Sequence, residues 1–114
     1  MSEETEIREG TTASVDMQLL NNGSSIDLTG IDHVTLCMMD AKGQVYRYAS
    51  SDTSTYATVV TASSGTVRFS PPSTTTFRYN VQPYTFYWWV YPTAATRYSV
   101  PTKGIAVFNI IKDY

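Results

Sequence analysis

Apolar and polar residues alternate with a period of two along most of the chain. Between about 11 and 20, Val15, Met17 and Leu19 alternate with Ser14, Asp16 and Gln18, the spacing of a strand with one buried face. Ile26 and Leu28 then flank Asp27, and Gly30 opens a strand at about 32–39 with Val34, Leu36 and Met38 on its inner face. Ala41-Lys42-Gly43 closes a hairpin into a strand at about 44–49, where Val45 alternates with Tyr46 and Tyr48 shares the face of Tyr46. A further pair is expected at about 56–61 and 66–70, joined through Ser63-Ser64-Gly65. Residues 71–80 form a Thr-rich connection with room for a helical turn. The most apolar strand follows at about 84–91, and the last two lie at about 96–100 and 105–112. No window carries apolar residues at the i, i+3, i+4, i+7 spacing of an amphipathic helix.

Turn signals fall at short intervals, at Asn21-Asn22-Gly23, Pro71-Pro72, Pro92-Thr93-Ala94 and Lys103-Gly104 besides those above. Short alternating strands with this punctuation predict an all-β fold, an antiparallel β-sandwich of about seven or eight strands. Ser and Thr supply 29 of the 114 residues, and many alternate with Val, Tyr or Phe as the pleated, half-buried surface of a sheet requires. No repeat, linker or second domain is visible, so residues 10–114 are expected to form one sandwich.

Charge changes the picture at one end only. Glu3, Glu4, Glu6 and Glu9 against Arg8 leave the first nine residues at −3 of a total of −2, so the remainder carries +1. Without apolar periodicity, residues 1–9 read as a flexible acidic N-terminal arm. The seven other Lys and Arg are scattered singly, which offers nucleic acid no basic stripe. No apolar run approaches the roughly 20 residues of a spanning helix, so membrane insertion is not expected. Cys37 is the single cysteine, which excludes an internal disulfide and any multi-cysteine metal site. Met1-Ser2-Glu3-Glu4 lacks the features of a secretory signal, so Asn22-Gly23-Ser24 reads as a turn and the chain as one made in a reducing cytoplasm.

Candidate chemistry is sparse. His33, the single histidine, and Cys37 share a face of one strand, yet four residues separate them by about 13 Å, well beyond the roughly 3 Å of a hydrogen-bonded catalytic pair. Asp16, Asp27, Asp32, Asp40 and Asp52 are spread over strand ends and turns. They read as turn caps rather than as a calcium loop or a convergent acid pair. No phosphate loop, nucleophile elbow or zinc motif is present. The expectation is a protein without catalytic residues, cofactor or metal.

The aromatic strand stands above this background. Tyr84, Phe86, Trp88 and Val90 share one face, and Thr85, Tyr87, Trp89 and Tyr91 the other, whereas a strand with one wet face should not carry large rings on both. Two readings are open: long neighbouring side chains cover the outer row or cross-strand pairing with Tyr98 stabilises it, or Tyr87, Trp89 and Tyr91 form a docking patch. Tyr98 joins either face according to hairpin register. The last strand is apolar on both faces, with Ile105, Val107 and Ile111 on one and Ala106, Phe108 and Ile110 on the other. Such a strand is central or covered by another subunit. The candidate contact residues are therefore Tyr87, Trp89, Tyr91, Tyr98, Phe108 and Ile110.

The order of these elements resembles the N-terminal domain of tailed-phage baseplate upper proteins. The resemblance rests on Gly10-Thr11-Thr12 and Ile26-Asp27-Leu28-Thr29-Gly30, then Asp40-Ala41-Lys42-Gly43-Gln44-Val45 and Gly65-Thr66-Val67-Arg68-Phe69. It continues through Tyr84 to Val90 and through Tyr98-Ser99-Val100-Pro101-Thr102-Lys103-Gly104 into Ile105 to Ile110, and so covers residues 8–112. It implies an immunoglobulin-like sandwich that serves as a non-enzymatic assembly module of the virion. Its expected partners are other virion proteins, in multiple copies or as a homo-oligomer. Baseplate upper proteins continue into a helical segment and a receptor-binding carrier part. With its end at Tyr114, this chain is instead expected to be a free-standing module of the tail, baseplate, neck or capsid surface. The alternative is a carbohydrate-binding module whose exposed aromatics stack on a surface glycan.

Overall fold

The computed structural model describes residues 2–21, 23–51, 56–101 and 105–112. Asn22, Asp52, the Lys103-Gly104 turn and the side chains of Glu3, Glu4 and Ile105 lie outside the described residues. The strands are β1 (Ser2–Arg8), β2 (Val15–Gln18), β3 (Leu20–Asn21), β4 (Ser24–Ser25), β5 (His33–Met39) and β6 (Val45–Ala49), followed by β7 (Ala57–Thr61), β8 (Thr66–Phe69), β9 (Tyr84–Thr93), β10 (Thr96–Val100) and β11 (Ile105–Ile111). They build a larger sheet in the order β1-β11-β9-β5-β6 and a smaller one in the order β2-β8-β7, with β3 and β4 as a short hairpin. β10 pairs the second half of β9 and β11 the first half. Because β5 occupies the other edge of β9, β10 and β11 act as two segments of one interrupted strand.

The topology is immunoglobulin-like. In that fold's lettering β2-β8-β7 are strands B, E and D, and β11-β9-β5-β6 are G, F, C and C′. Tyr84 adds a local signature. At the start of β9 its ring is fully buried, and its hydroxyl accepts the backbone N–H of Arg78 at 3.0 Å, which is the geometry of a tyrosine corner.

The two inner faces meet in one core. Val34, Leu36 and Met38 from β5, Tyr84, Trp88 and Val90 from β9, and Val67 and Phe69 from β8 are all buried, as the period-two pattern predicts. The Trp88 indole N–H points to the Met17 sulfur at 3.0 Å and so bridges the sheets. Phe77, from the irregular connection before β9, sits among Phe69, Tyr84 and Phe108 with ring centroids 5.2–5.8 Å away. The helical turn expected in that connection is a short 3-10 turn at Tyr79–Val81.

The acidic head corrects an expectation. Residues 1–9 read as a mobile arm, yet Ser2–Arg8 form β1 and run parallel to β11 in register from Ser2↔Ile105 to Arg8↔Ile111. Ile7 is buried, Glu9 N–H donates to the Ile111 carbonyl at 2.8 Å, and the Glu9 carboxylate accepts Tyr79 N–H at 2.9 Å. The physical reason is that backbone pairing needs no apolar pattern, and charged side chains are the ordinary dress of a sheet edge. The larger sheet is therefore mixed rather than purely antiparallel.

Candidate functional site

The two outer faces of the sandwich differ in kind. On the smaller sheet Asp16, Gln18, Thr58, Thr66 and Arg68 point outward, with Asp16 and Arg68 in a two-point ion pair at 2.6 and 3.0 Å. Hydrogen bonding to Arg68 holds the Asp16 carboxyl below its usual range. Apart from Val60, which is 42% exposed, this is the polar surface expected of a sheet with one wet face.

The larger sheet presents the opposite chemistry. Directly opposed residues share a face, so the register defines its outer rows: His33 with Tyr91, then Ala49, Thr35, Trp89 and Ser99, then Arg47, Cys37 and Tyr87, and finally Val45, Met39, Thr85 and Val107. Val45, Met39 and Tyr87 are 48%, 45% and 37% exposed. They border a pocket of about 520 Å³ that also takes in Arg47, Trp89 and Pro101, at the point where β10 gives way to β11. Cys37 lies buried on this face.

Neighbouring side chains cover part of the outer aromatic row and leave part of it exposed. The Arg97 guanidinium lies 3.9 Å from the centre of the Trp89 ring, and its Nη1 donates to the Tyr91 hydroxyl at 3.1 Å. Tyr91 is also stacked by His33 at 4.1 Å. Trp89 and Tyr91 are thus half-covered by neighbours of their own chain. Tyr87 meets Trp89 edge-on at 5.5 Å and stays open to the pocket. Arg97, Met39, Val45 and Arg47 were not anticipated. The signal for Met39 and Val45 was present, since they sit opposite one another on the outward phase of the β5–β6 hairpin.

Three expected contact residues lie elsewhere. Phe108 and Ile110 face inward and are 0% and 3% exposed, so no partner reaches them. They belong to the core because the inward phase of β11 continues the rows of Phe86 and Tyr84. Tyr98 pairs with Val90 and not with Trp89, which puts it on the opposite side of the sheet from the patch. There it remains partly exposed, and burial of the rest raises its hydroxyl pKa.

His33 and the turn aspartates are engaged locally. His33 Nδ1 contacts the Asp32 carboxylate at 2.6 Å and stacks on Tyr91, while Cys37 lies two rows away on the same face. Asp27 accepts Thr29 N–H at 2.9 Å, and Asp40 accepts the N–H groups of Lys42 and Gln44 together with the Tyr46 hydroxyl. Both aspartates cap turns. Burial, followed by the Asp40 carboxylate, pushes the Tyr46 pKa up to about 12. No group of three or more His, Cys, Asp or Glu capable of holding a metal ion occurs among the described residues.

No family model matches the chain, and no curated protein matches it. Among solved structures, extracellular domains 3–5 of Drosophila OTK align with 97% of this chain at 11% identity and a TM-score of 0.37. The chain spans 33% of the length of that neighbour, and the immunoglobulin-like assignment rests on the strand order and the tyrosine corner above.

Proposed function

We propose that this chain is a non-enzymatic structural protein of a phage particle, an immunoglobulin-like module that docks on other virion proteins of the tail, baseplate, neck or capsid surface. The observation that carries the docking role is the contrast between the two outer faces. One is a largely polar sheet surface with a paired Asp16 and Arg68 and a single exposed Val60, and the other exposes Met39, Val45 and Tyr87 around a pocket. Contiguous exposed apolar side chains with an aromatic at the centre are the composition of a contact surface rather than of a solvated one. The phage setting is supported by the sequence resemblance from Gly10 to Ile110.

The alternative, a carbohydrate-binding module, needs coplanar exposed rings that stack on sugars. Tyr87 and Trp89 stand at 86° to one another, and Arg97 covers Trp89, so the rings weigh towards a protein partner.

The test is incorporation. Tyr87→Ala and Met39→Glu chains should fold with an unchanged melting profile and be depleted from particles, because a central interface aromatic typically contributes about 2 kcal/mol, roughly thirtyfold in affinity. Val60→Glu on the smaller sheet is the control and should incorporate normally. Folded Tyr87→Ala and Met39→Glu chains incorporated at the wild-type level would refute the docking assignment.

A further inference from the structure

We propose that the outer face of the larger sheet recognises an extended acidic segment of its partner, with an apolar side chain seated beside Tyr87 and carboxylates on either side meeting Arg47 and Arg97. The inference rests on the docking role above and adds the chemistry of the occupant.

The charges point that way. Among the described residues no Asp or Glu lines the pocket, while Arg47 does. Arg47 is exposed, and no described carboxylate lies within ion-pair distance of it. Arg97 is exposed as well. Its described contacts are the faces of Trp89 and Tyr91 and the Tyr91 hydroxyl. A guanidinium has five N–H donors, so most of those on Arg97 remain available. Asp32, near the same end of the face, is held by His33. The face is therefore a largely apolar floor with two cations, neither in ion-pair contact with a described acid.

The spacing defines the ligand. Arg47 lies two strands from β9 and one row from Trp89, over which Arg97 sits. With strands about 4.8 Å apart and alternate residues about 6.6 Å apart, the diagonal is roughly 12 Å. Extended chain covers that in three or four residues. An Asp or Glu, an apolar residue one or two positions on, and a second Asp or Glu three or four positions from the first would meet both cations and the pocket together. A second copy docked face to face is a poorer occupant, because it would bring Arg47 and Arg97 of both copies together without a lining acid.

The test is selection of displayed random dodecapeptides on the intact chain. Enriched peptides should carry an apolar residue between carboxylates three or four positions apart. Their binding should fall about tenfold or more in Arg47→Glu or Arg97→Glu chains, weaken steadily with added salt, and vanish in Tyr87→Ala. Selection on the double Arg→Glu chain should exchange the carboxylates for Lys or Arg. Near-UV circular dichroism verifies that each variant is folded. Enriched peptides that need Tyr87 but lack carboxylates, or ignore both Arg→Glu changes, would overturn the proposal and leave the docking face standing. Failure to select any peptide that needs Tyr87, or binding of a heparin hexasaccharide alone, would overturn it too. Normal particle incorporation of folded Tyr87→Ala is the separate result that removes the docking role itself.

Discussion

Replacing Ile7 with alanine should destabilise the fold by about 2 kcal/mol, although the residue sits in an acidic segment near the chain's start. Its side chain is 6% exposed and lies in β1 opposite Ile110. The change removes three carbons from that site, worth roughly 0.8 kcal/mol each, and the cavity left behind adds to the loss. An edge strand relaxes more easily than a central one, so the value belongs at the lower end of the usual 2–5 kcal/mol. For a domain of this size the melting temperature should drop by roughly 10 °C. Urea unfolding followed through Trp88 and Trp89 fluorescence measures it, with Glu6→Ala as control, because Glu6 is exposed on the same strand and should change stability by less than about 0.5 kcal/mol. An Ile7→Ala chain as stable as Glu6→Ala would refute the pairing of β1 with β11 and restore the mobile arm.

Gly65 closes the turn before β8 with φ +71°, and a Cβ there would run into the Ile26 carbonyl oxygen and lie 3.0 Å from that of Leu19. Gly65→Ala should therefore cost about 2 kcal/mol or more in urea unfolding, and a neutral result would contradict the close approach of the β3–β4 hairpin to this turn. The Tyr46 hydroxyl, raised from the ordinary 10.0 to about 12, favours the neutral form in the folded chain. Its contribution is complete below pH 10 and is lost as pH rises through about 12. Tyr46→Phe should lose about 1 kcal/mol at pH 8 with the hydrogen bond to Asp40, and its stability should fall less steeply than that of the wild type above pH 10; parallel curves would contradict the assignment.

The inner faces were legible because they obey the simplest rule of a sheet. Val34, Leu36 and Met38, and Tyr84, Phe86, Trp88 and Val90, alternate strictly, and all seven are buried. Phe77 was not legible, since it enters the core from a connection without period, where only tertiary packing decides which residue turns inward. β1 was hidden for a related reason: Ile7 alone reports its buried side, and backbone pairing leaves no trace in side-chain pattern. Phe108 and Ile110 show the limit of a strand that is apolar on both faces, where the pattern does not say which face meets the core. Tyr98 required the register of the β9–β10 hairpin. For the candidate site, Tyr87, Trp89 and Tyr91 were found from surplus aromaticity, but their partition was not. Arg97 covers Trp89 from the far side of a turn, a contact that strand alternation cannot express.

The central claim is that the outer face of the larger sheet is covered in the assembled particle. Oxidative footprinting of the free chain and of the same chain in particles tests it directly. Met39 and Tyr87 should be modified readily when free and protected on assembly, with Tyr79, 41% exposed away from the pocket lining, as the internal reference. Equal modification of Met39 and Tyr87 in both states, with a folded chain present in the particle, would contradict the account.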